Sequence, residues 1–247
     1  MDYVAKSDVG QKRTNNEDSF LTKVFNEDVA LFIVADGLGG YSSGEVASKI
    51  ITETMSLYIE EYINVICNQS EERIKEIFTE SVLSANSKIY NLEKTDAKYD
   101  GMGTTVVAIL KVKNNIFYTS IGDTRMYYID SNFKNIEQIT EDDTYVNELV
   151  KTNVISEKEA ENHPQKHMLT KAIGILKSIN VEVKKLDKQT GYLLLCSDGL
   201  TNMLTDKEIL SIIKNNEFSL VAEKLVIKAN ENGGFDNITV VFVKEGE

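Results

Sequence analysis

Seven consecutive apolar residues, Val29 to Ala35, run without a break into Asp36 and then into Gly37, Gly39 and Gly40. An unbroken apolar stretch of that length, bounded by turn residues, reads as a buried strand. Whatever fold the chain adopts must therefore cover this strand and still deliver one carboxylate from the core into a glycine turn that other residues would not allow. Ser42-Ser43-Gly44-Glu45 follows with the S-x-x-E spacing of a capping box and opens a long helical pattern. Taken alone, Asp36 is equally well a surface aspartate in a tight strand-to-helix turn. What decides is whether other carboxylates arrive in the same setting.

Read in order, the chain opens with a short strand at Tyr3–Ser7 and a polar loop that holds Arg13, Glu17 and Asp18. Ser19–Phe25 and Val29–Ala35 pair as a hairpin around Asn26-Glu27-Asp28. Two amphipathic helices come next. The first presents Ala47, Ile50, Ile51, Thr54, Met55, Tyr58, Tyr62 and Ile66 on one face. Ser70 caps the second, whose face carries Ile74, Ile77, Phe78, Val82, Ala85, Ile89 and Leu92. From Gly103 the period changes to that of strands: Thr104–Val112, Ile116–Gly122, Arg125–Ile129 and Asn135–Ile139. The short connections Lys113-Asn114-Asn115 and Gly122-Asp123-Thr124 predict an antiparallel meander. Residues 142–175 are polar and predict two short helices in a surface insertion, the second started by Ser156 and Glu159.

Strands resume at Asn180–Leu186 and at Tyr192–Cys196, and the second again ends in a carboxylate and a glycine, Asp198-Gly199. Thr205 caps a helix with Ile209, Ile212 and Ile213 inside. Phe218, Val221, Ala222, Leu225, Val226 and Ala229 mark another, which stops at Gly233-Gly234. Phe235-Asp236-Asn237 then leads into a last strand, Ile238–Val243. No Pro- or Ser-rich linker and no repeat divides the chain, so residues 1–247 are expected to form one domain with the insertion at about 142–175. Strands in runs and helices in pairs predict an α+β class with sheets packed on each other and helices outside. A doubly wound fold would require a strict βαβ alternation that is absent.

Composition narrows the chemistry. Lys plus Arg number 27 against 39 Asp plus Glu, a net charge of −12, which argues against nucleic acid or an anionic membrane as the main partner. The N-terminus has no apolar signal core, no stretch is long enough to span a bilayer, and Cys67 and Cys196 sit in apolar contexts better suited to the core than to a disulfide. A reducing cytoplasm is the expected compartment. His163 and His167 are four apart, but Pro164 interrupts the helix that would let them clamp zinc, so any metal should be oxygen-ligated: magnesium, manganese or calcium.

Four acids share one setting, the end of an apolar strand or the turn beside one: Asp36, Asp123, Asp198 and Asp236. Glu17 and Asp18 stand just before a strand. Each alone is a turn-forming residue. Gathered at one edge of a sandwich they would repel one another and need cations to neutralise them. Two divalent ions about 3.5–4 Å apart can hold a water, lower its pKa toward neutrality and aim it at phosphorus. Arg13 offers a planar fork for two phosphate oxygens, although spacing alone leaves it equally a solvated surface cation.

RTNNED, VADGLGG, GMGTTVVA, IGDTR, SDGL and DNITVV stand in the order seen in the type 2C metal-dependent protein serine/threonine phosphatases. From about Ser7 to Val243 the chain resembles a compact bacterial member of that family. The resemblance implies a central β-sandwich of two antiparallel sheets flanked by antiparallel helix pairs, and two to three Mn2+ or Mg2+ ions. By the same resemblance Asp36, Asp198 and Asp236 bind the first metal. Glu17, Asp36 and the Gly37 carbonyl hold the second, and Asp123 with Asp198 a third. Arg13 binds phosphate, Asp18 orients a metal-bound water, and 142–175 is a flap beside the cleft. The activity implied is direct attack of a metal-activated water on phosphoserine or phosphothreonine in proteins, without a phosphoenzyme. The implied partners are the targets of a Hanks-type kinase and the kinase itself, with no nucleic acid and no membrane insertion.

The sequence departs from the family pattern at three places. Leu38 stands where animal members carry a His proposed as general acid. Tyr41 replaces a His common in bacterial members, and Asp142-Asp143-Thr144 replaces their D-H-S. The rival reading is a catalytically silent phosphatase-like binding module. A nucleotide-binding loop is disfavoured because G-x-G-x-x-G would need glycine where Ser42 stands, and no P-loop is present.

Overall fold

A computed structural model describes residues 1–40, 43–188 and 190–246. The elements in order are β1 (Asp2–Asp8), β2 (Asp18–Val24), β3 (Val29–Leu38), α1 (Ser43–Glu61), α2 (Glu71–Glu93), β4 (Gly103–Thr104), β5 (Val106–Val112), β6 (Asn115–Ile121), β7 (Arg125–Ile129) and β8 (Ile136–Gln138). They continue with α3 (Tyr145–Lys151), α4 (Glu157–Glu161), β9 (Lys184–Lys185), β10 (Gly191–Cys196), α5 (Asp198–Thr201), α6 (Asp206–Asn215), α7 (Val221–Glu231) and β11 (Ile238–Glu245). One sheet runs β1-β11-β10-β7-β8 and the other β2-β3-β5-β6-β9, with β4 on the end of β3; every pairing is antiparallel.

The unbroken apolar run of β3 follows from burial on both faces. Side chains alternate across a strand, so Val29, Leu31, Ile33 and Ala35 join Ile51 and Met55 of α1 and Phe78 and Ile89 of α2 in one cluster. The intervening Ala30, Phe32 and Val34 meet Leu193, Leu195, Val241 and Val243 of the facing sheet. On the far side of that sheet, Leu194, Val240 and Phe242 pack with Ile209 and Ile213 of α6 and Leu225 and Val226 of α7. The result is four layers, helices–sheet–sheet–helices, as the motif pattern implied. The helix starts also form as read. Ser70 accepts from the Arg73 N–H, and full capping boxes stand at Ser156/Glu159 and Thr205/Glu208. The box expected at Ser42, like the departure at Tyr41, lies outside the described residues.

Four expectations are corrected. β3 does not end at Ala35 but continues through Asp36 and Gly37 to Leu38, because β4 pairs with it there, Gly37 opposite Thr104 and Leu38 opposite Gly103. The four strands after Gly103 are not one meander. β6 pairs with β5 and β9, whereas β7 pairs with β10 and β8. Gly122-Asp123-Thr124 is thus a crossover between sheets, made possible by Gly122 at φ 100°. The strand expected over Asn180–Leu186 shrinks to Lys184–Lys185, an edge whose lysines pair with Glu182 and with Glu71 of α2. The first helix stops at Glu61, and Ile66 sits in a separate 3-10 turn closed by the Asn68 N–H on the Val65 carbonyl and the Gln69 N–H on the Ile66 carbonyl. Cys196 is buried and Cys67 half-buried, both as free thiols. Among the described residues no helix is long and apolar enough to cross a membrane.

Phe32 is fully buried between the sheets. Phe32→Ala should cost about 3–5 kcal/mol of unfolding free energy, read from urea titration. A loss below about 1 kcal/mol would mean the sheets are not packed through this residue.

Candidate metal centre

Strands β3, β6 and β10 leave the core at one end of the sandwich, and β2 and β11 enter it there. That shared end is why residues far apart in sequence meet. A cleft of about 750 Å³ opens on it, walled by Arg13 and Glu17 from the β1–β2 loop, Asp36 and Gly37 from β3, and Asp123 from the sheet crossover. Asp198 from the first turn of α5 and Asp236 from the entry to β11 complete the acidic wall, with Leu38, Lys166 and His167 on the rim.

Asp36 and Glu17 are held by their backbone, Asp198 and Asp236 by their side chains. The Asp36 N–H donates to Thr105 Oγ1 at 3.1 Å, and its carbonyl accepts from Thr104 Oγ1 and from the Thr105 N–H, both at 2.8 Å. Both threonines are fully buried. Gly37 is needed for close approach: a Cβ there would meet the Gly44 carbonyl at 2.1 Å and the Glu17 carbonyl at 2.7 Å. The Glu17 carbonyl in turn accepts from the Gly37 N–H at 3.1 Å and from Ser48 Oγ of α1 at 2.6 Å. Asn202 donates to Asp198 Oδ2 at 2.9 Å. Arg13 pairs with Asp236 at 2.9 Å.

Asp18 is not on the cleft wall. It lies buried behind it, opposite Asp36 in the β2–β3 register, and accepts from Ser197 Oγ at 2.7 Å. Ser197 precedes Asp198 and also accepts from the Thr239 N–H, so Asp18 ties the start of α5 to both sheets. His167 stands 3.9 Å from Asp198, whereas His163 lies against Tyr145, its ring centroid 6.2 Å from the tyrosine's.

Sequence reasoning missed the residue that organises the β1–β2 loop. Asn237 donates to the Val9 and Asn15 carbonyls, both at 2.9 Å, and accepts from the Glu17 N–H at 2.8 Å. One amide thus closes the loop that carries Arg13 and Glu17. The signal was present as the Asn following Asp236 at the mouth of a strand, where an amide can satisfy loop backbone on both sides. Ser197, Thr105 and Asn202 were also passed over. A hydroxyl or amide in a strand end carries no mark of which distant backbone it will bond.

Crowding shows in the acid–base chemistry. Burial pushes Asp123 up to about 7, with Asp198 and Asp142 adding repulsion. Burial likewise raises Asp18 to about 7, against hydrogen bonds from Thr239 and Ser197 that favour its charge. Asp36 is raised well above the usual carboxylate range by burial and then by Asp18, Asp198, Asp123 and Asp236. Asp198 is raised by burial and Asp236, and Glu17 by burial, with Arg13 opposing. Two buried carboxylate oxygens, Asp198 Oδ1 and Asp18 Oδ1, have no hydrogen-bond partner at all. Buried acceptors without donors are costly, and hard divalent cations suit such oxygen donors. The residues present therefore fit a magnesium- or manganese-type group. Among the described residues no three His, Cys, Asp or Glu side chains already converge as a closed ligand shell; Asp236 is turned to Arg13 instead.

Residues 10–231 match the family described as Protein phosphatase 2C. The chain is 35% identical to the serine/threonine phosphatase stp of Listeria welshimeri over 241 residues, covering 97% of this chain and 94% of that protein. It is 36% identical to the protein phosphatase PhpP of Streptococcus pneumoniae over 250 residues, covering 100% and 98%. Among solved structures, the serine/threonine phosphatase Stp1 of Staphylococcus aureus superposes with a TM-score of 0.89 at 32% identity, over 99% of this chain and 95% of that one. The catalytic domain of the phosphatase PstP in complex with two manganese ions superposes with a TM-score of 0.84 at 30% identity, over 100% and 98%.

The raised carboxylates set a pH dependence. A carboxylate whose folded pKa lies above its unfolded value binds more protons when folded, so unfolding free energy falls as pH rises between the two values. For Asp18 and Asp123 that window runs from about 3.9, the unfolded value, up to about 7. Metal-stripped protein should therefore melt at a lower temperature at pH 8 than at pH 5.5, and Mn2+ should restore more at pH 8. Asp36→Asn should flatten the difference. Equal melting temperatures at both pH values in chelator would contradict it.

Proposed function

Because the chain belongs to the protein phosphatase 2C family and is a serine/threonine protein phosphatase of the bacterial type, we propose that it removes phosphate from phosphoserine and phosphothreonine in proteins by attack of a metal-activated water, with no phosphoenzyme. The observation that carries this reading is the ring of mutually destabilised carboxylates at one end of the sandwich, with two orphaned oxygens among them. Two to three Mn2+ or Mg2+ ions, when bound, would neutralise that charge and supply a water with a pKa near neutrality.

Asp36, Asp198 and Asp236 hold the first ion in this reading, and Glu17, Asp36 and the Gly37 carbonyl the second. Asp123 with Asp198 holds a third. Arg13 has an exposed guanidinium beside Asp236, from which its fork can turn to two phosphoryl oxygens and balance the charge that builds on them. Asp18 keeps one oxygen on Ser197 and leaves the other to orient a water behind the nucleophile's position. Leu38 has no proton to give, so the leaving alkoxide takes its proton from water in the cleft. Residues 1–247 act as one phosphatase domain, and residues 142–175 are the flap beside the cleft, contributing Lys166 and His167 to its rim. The substrates would be phosphoproteins, those of a Hanks-type kinase and the kinase itself among them. The free thiols of Cys67 and Cys196 fit a cytoplasmic setting.

The test is hydrolysis of p-nitrophenyl phosphate and of a phosphothreonine peptide with millimolar Mn2+. Asp198→Asn should lower turnover by roughly a thousandfold or more, because it withdraws a charge that two ions share. Full activity in that variant would overturn the site assignment. Wild-type protein that binds phosphopeptide without hydrolysing it would instead establish the silent-module reading.

A further inference from the structure

Asp143 lies one residue beyond the Asp142 that pairs with Arg125, at the position where the motif pattern of bacterial members has histidine. Its backbone and side chain both engage the Gly122 peptide. The Asp143 N–H donates to the Gly122 carbonyl at 2.8 Å, and the Gly122 N–H donates to Asp143 Oδ2 at 3.2 Å. The other carboxylate oxygen, Oδ1, accepts from Lys171 Nζ at 2.5 Å. Residues 143 and 171 are the entry and exit of the segment that carries α3 and α4. The Thr170 N–H donates to the Asp143 carbonyl and the Tyr145 N–H to the Met168 carbonyl, both at 2.8 Å, so the neck is closed.

One side chain therefore holds the two ends of the neck together and fastens them to the turn that carries Asp123. The other flank of that turn is fixed by Asp142. Its carboxylate takes Arg125 Nε and Nη2 in a fork at 3.0 and 2.6 Å, and Arg125 begins β7. Asp123 stands between these two anchors. Gly122 is also pressed on Thr105, whose Cγ2 would lie 2.5 Å from a Cβ there, and Thr105 receives the Asp36 N–H. A shift of the turn would be felt at both acids.

We propose that Asp143, paired with Lys171, is a positioning residue: a latch from the neck of the 142–175 segment to the Gly122 turn that sets where the Asp123 carboxylate stands in the cleft. Its catalytic consequence rests on the metal-dependent reading above, but the latch itself does not. Its two bonds differ in kind. Lys171 is 57% exposed and Asp143 19%, so the ion pair is open to screening by salt, while the Gly122 bond is not. Asp143→Asn keeps an acceptor for Gly122 and loses the ion pair, Lys171→Met loses only the ion pair, and Asp143→Ala loses both.

Amide hydrogen exchange in metal-stripped protein reads the latch directly. Asp143→Ala should speed exchange at the Gly122 N–H by about tenfold or more, Lys171→Met by less and in the direction that added salt mimics in wild type. Asp143→Asn should recover most of the protection, and the Glu17 N–H, held by Asn237, should not change in any variant. In calorimetric titration with Mn2+, the weakest binding step should weaken about tenfold in Asp143→Ala and less in Lys171→Met, with the tighter steps unchanged. In turnover assays the same order should appear in the Mn2+ concentration for half-maximal rate, with KM for a phosphopeptide little moved. Unchanged Gly122 exchange in Asp143→Ala, or in Lys171→Met should the alanine variant fail to fold, overturns the latch. Faster Gly122 exchange with every Mn2+ step unchanged overturns its role toward Asp123. A wild type that lacks hydrolysis would count against the catalytic reading alone, since exchange and Mn2+ binding still judge the latch.

Discussion

Carboxylates gathered in a partly dry cleft repel one another, and a fold that keeps them there must hold each by something other than its charge. In this protein Asp36 and Glu17 are held through their main-chain groups. Asp36 cannot retreat because Thr104 and Thr105 occupy both its N–H and its carbonyl. Glu17 is fixed through its N–H by Asn237 and through its carbonyl by Gly37 and Ser48. Asp198 opens a short helix whose preceding serine is bonded to both sheets. Asp198 and Asp236 are held at the side chain as well, by Asn202 and Arg13, and burial first, then the neighbouring charges, raises the carboxyls of Asp36, Asp123 and Asp198. A site built in this way is ready for cations and poorly suited to standing without them.

The layered architecture is what makes the holding possible. Because β3 is covered on one face by α1 and α2 and on the other by the second sheet, its end cannot swing. The same is true of β10 and β11, pinned between the facing sheet and α6 and α7. Glycines act at two close approaches of backbone to backbone. Gly37 lets β3 slide against the start of α1, and Gly199 lets α5 sit on the Asn237 carbonyl, which a Cβ would reach at 1.9 Å. Strand ends that stiff can place acids from five segments on one cleft.

Much of this was legible in the sequence, and the gaps have physical causes. Apolar periodicity located the strands and helices because burial dominates them, and the acids stood out because each ended an apolar run. Pairing was less visible. Nothing in Gly122-Asp123-Thr124 distinguishes a hairpin turn from a crossover, since Gly122 allows the positive φ that either requires; the difference lies in the partners of β7, which are β10 and β8 and not β6. The end of β3 was misplaced because its last pairing partner is only two residues long. The supporting polar residues were read least well. Asn237, Ser197 and Thr105 act through backbone groups distant in sequence, and a single chain carries no trace of such partners. Glu17 and Asp18 are adjacent in sequence, yet Glu17 lines the cleft from the loop before β2 while Asp18 opens β2 and is buried behind the wall, where it accepts from Ser197.

Asp36 faces most of the other acids, and two ions are assigned to it. An anomalous difference map from crystals of the wild-type protein grown with Mn2+ tests this most directly. Two strong peaks about 3.5–4 Å apart are expected, with an Asp36 oxygen within bonding distance of both, and Asp236 turned from Arg13 toward one of them. Peaks that leave Asp36 untouched, or an empty cleft in protein that is active with Mn2+, would contradict it.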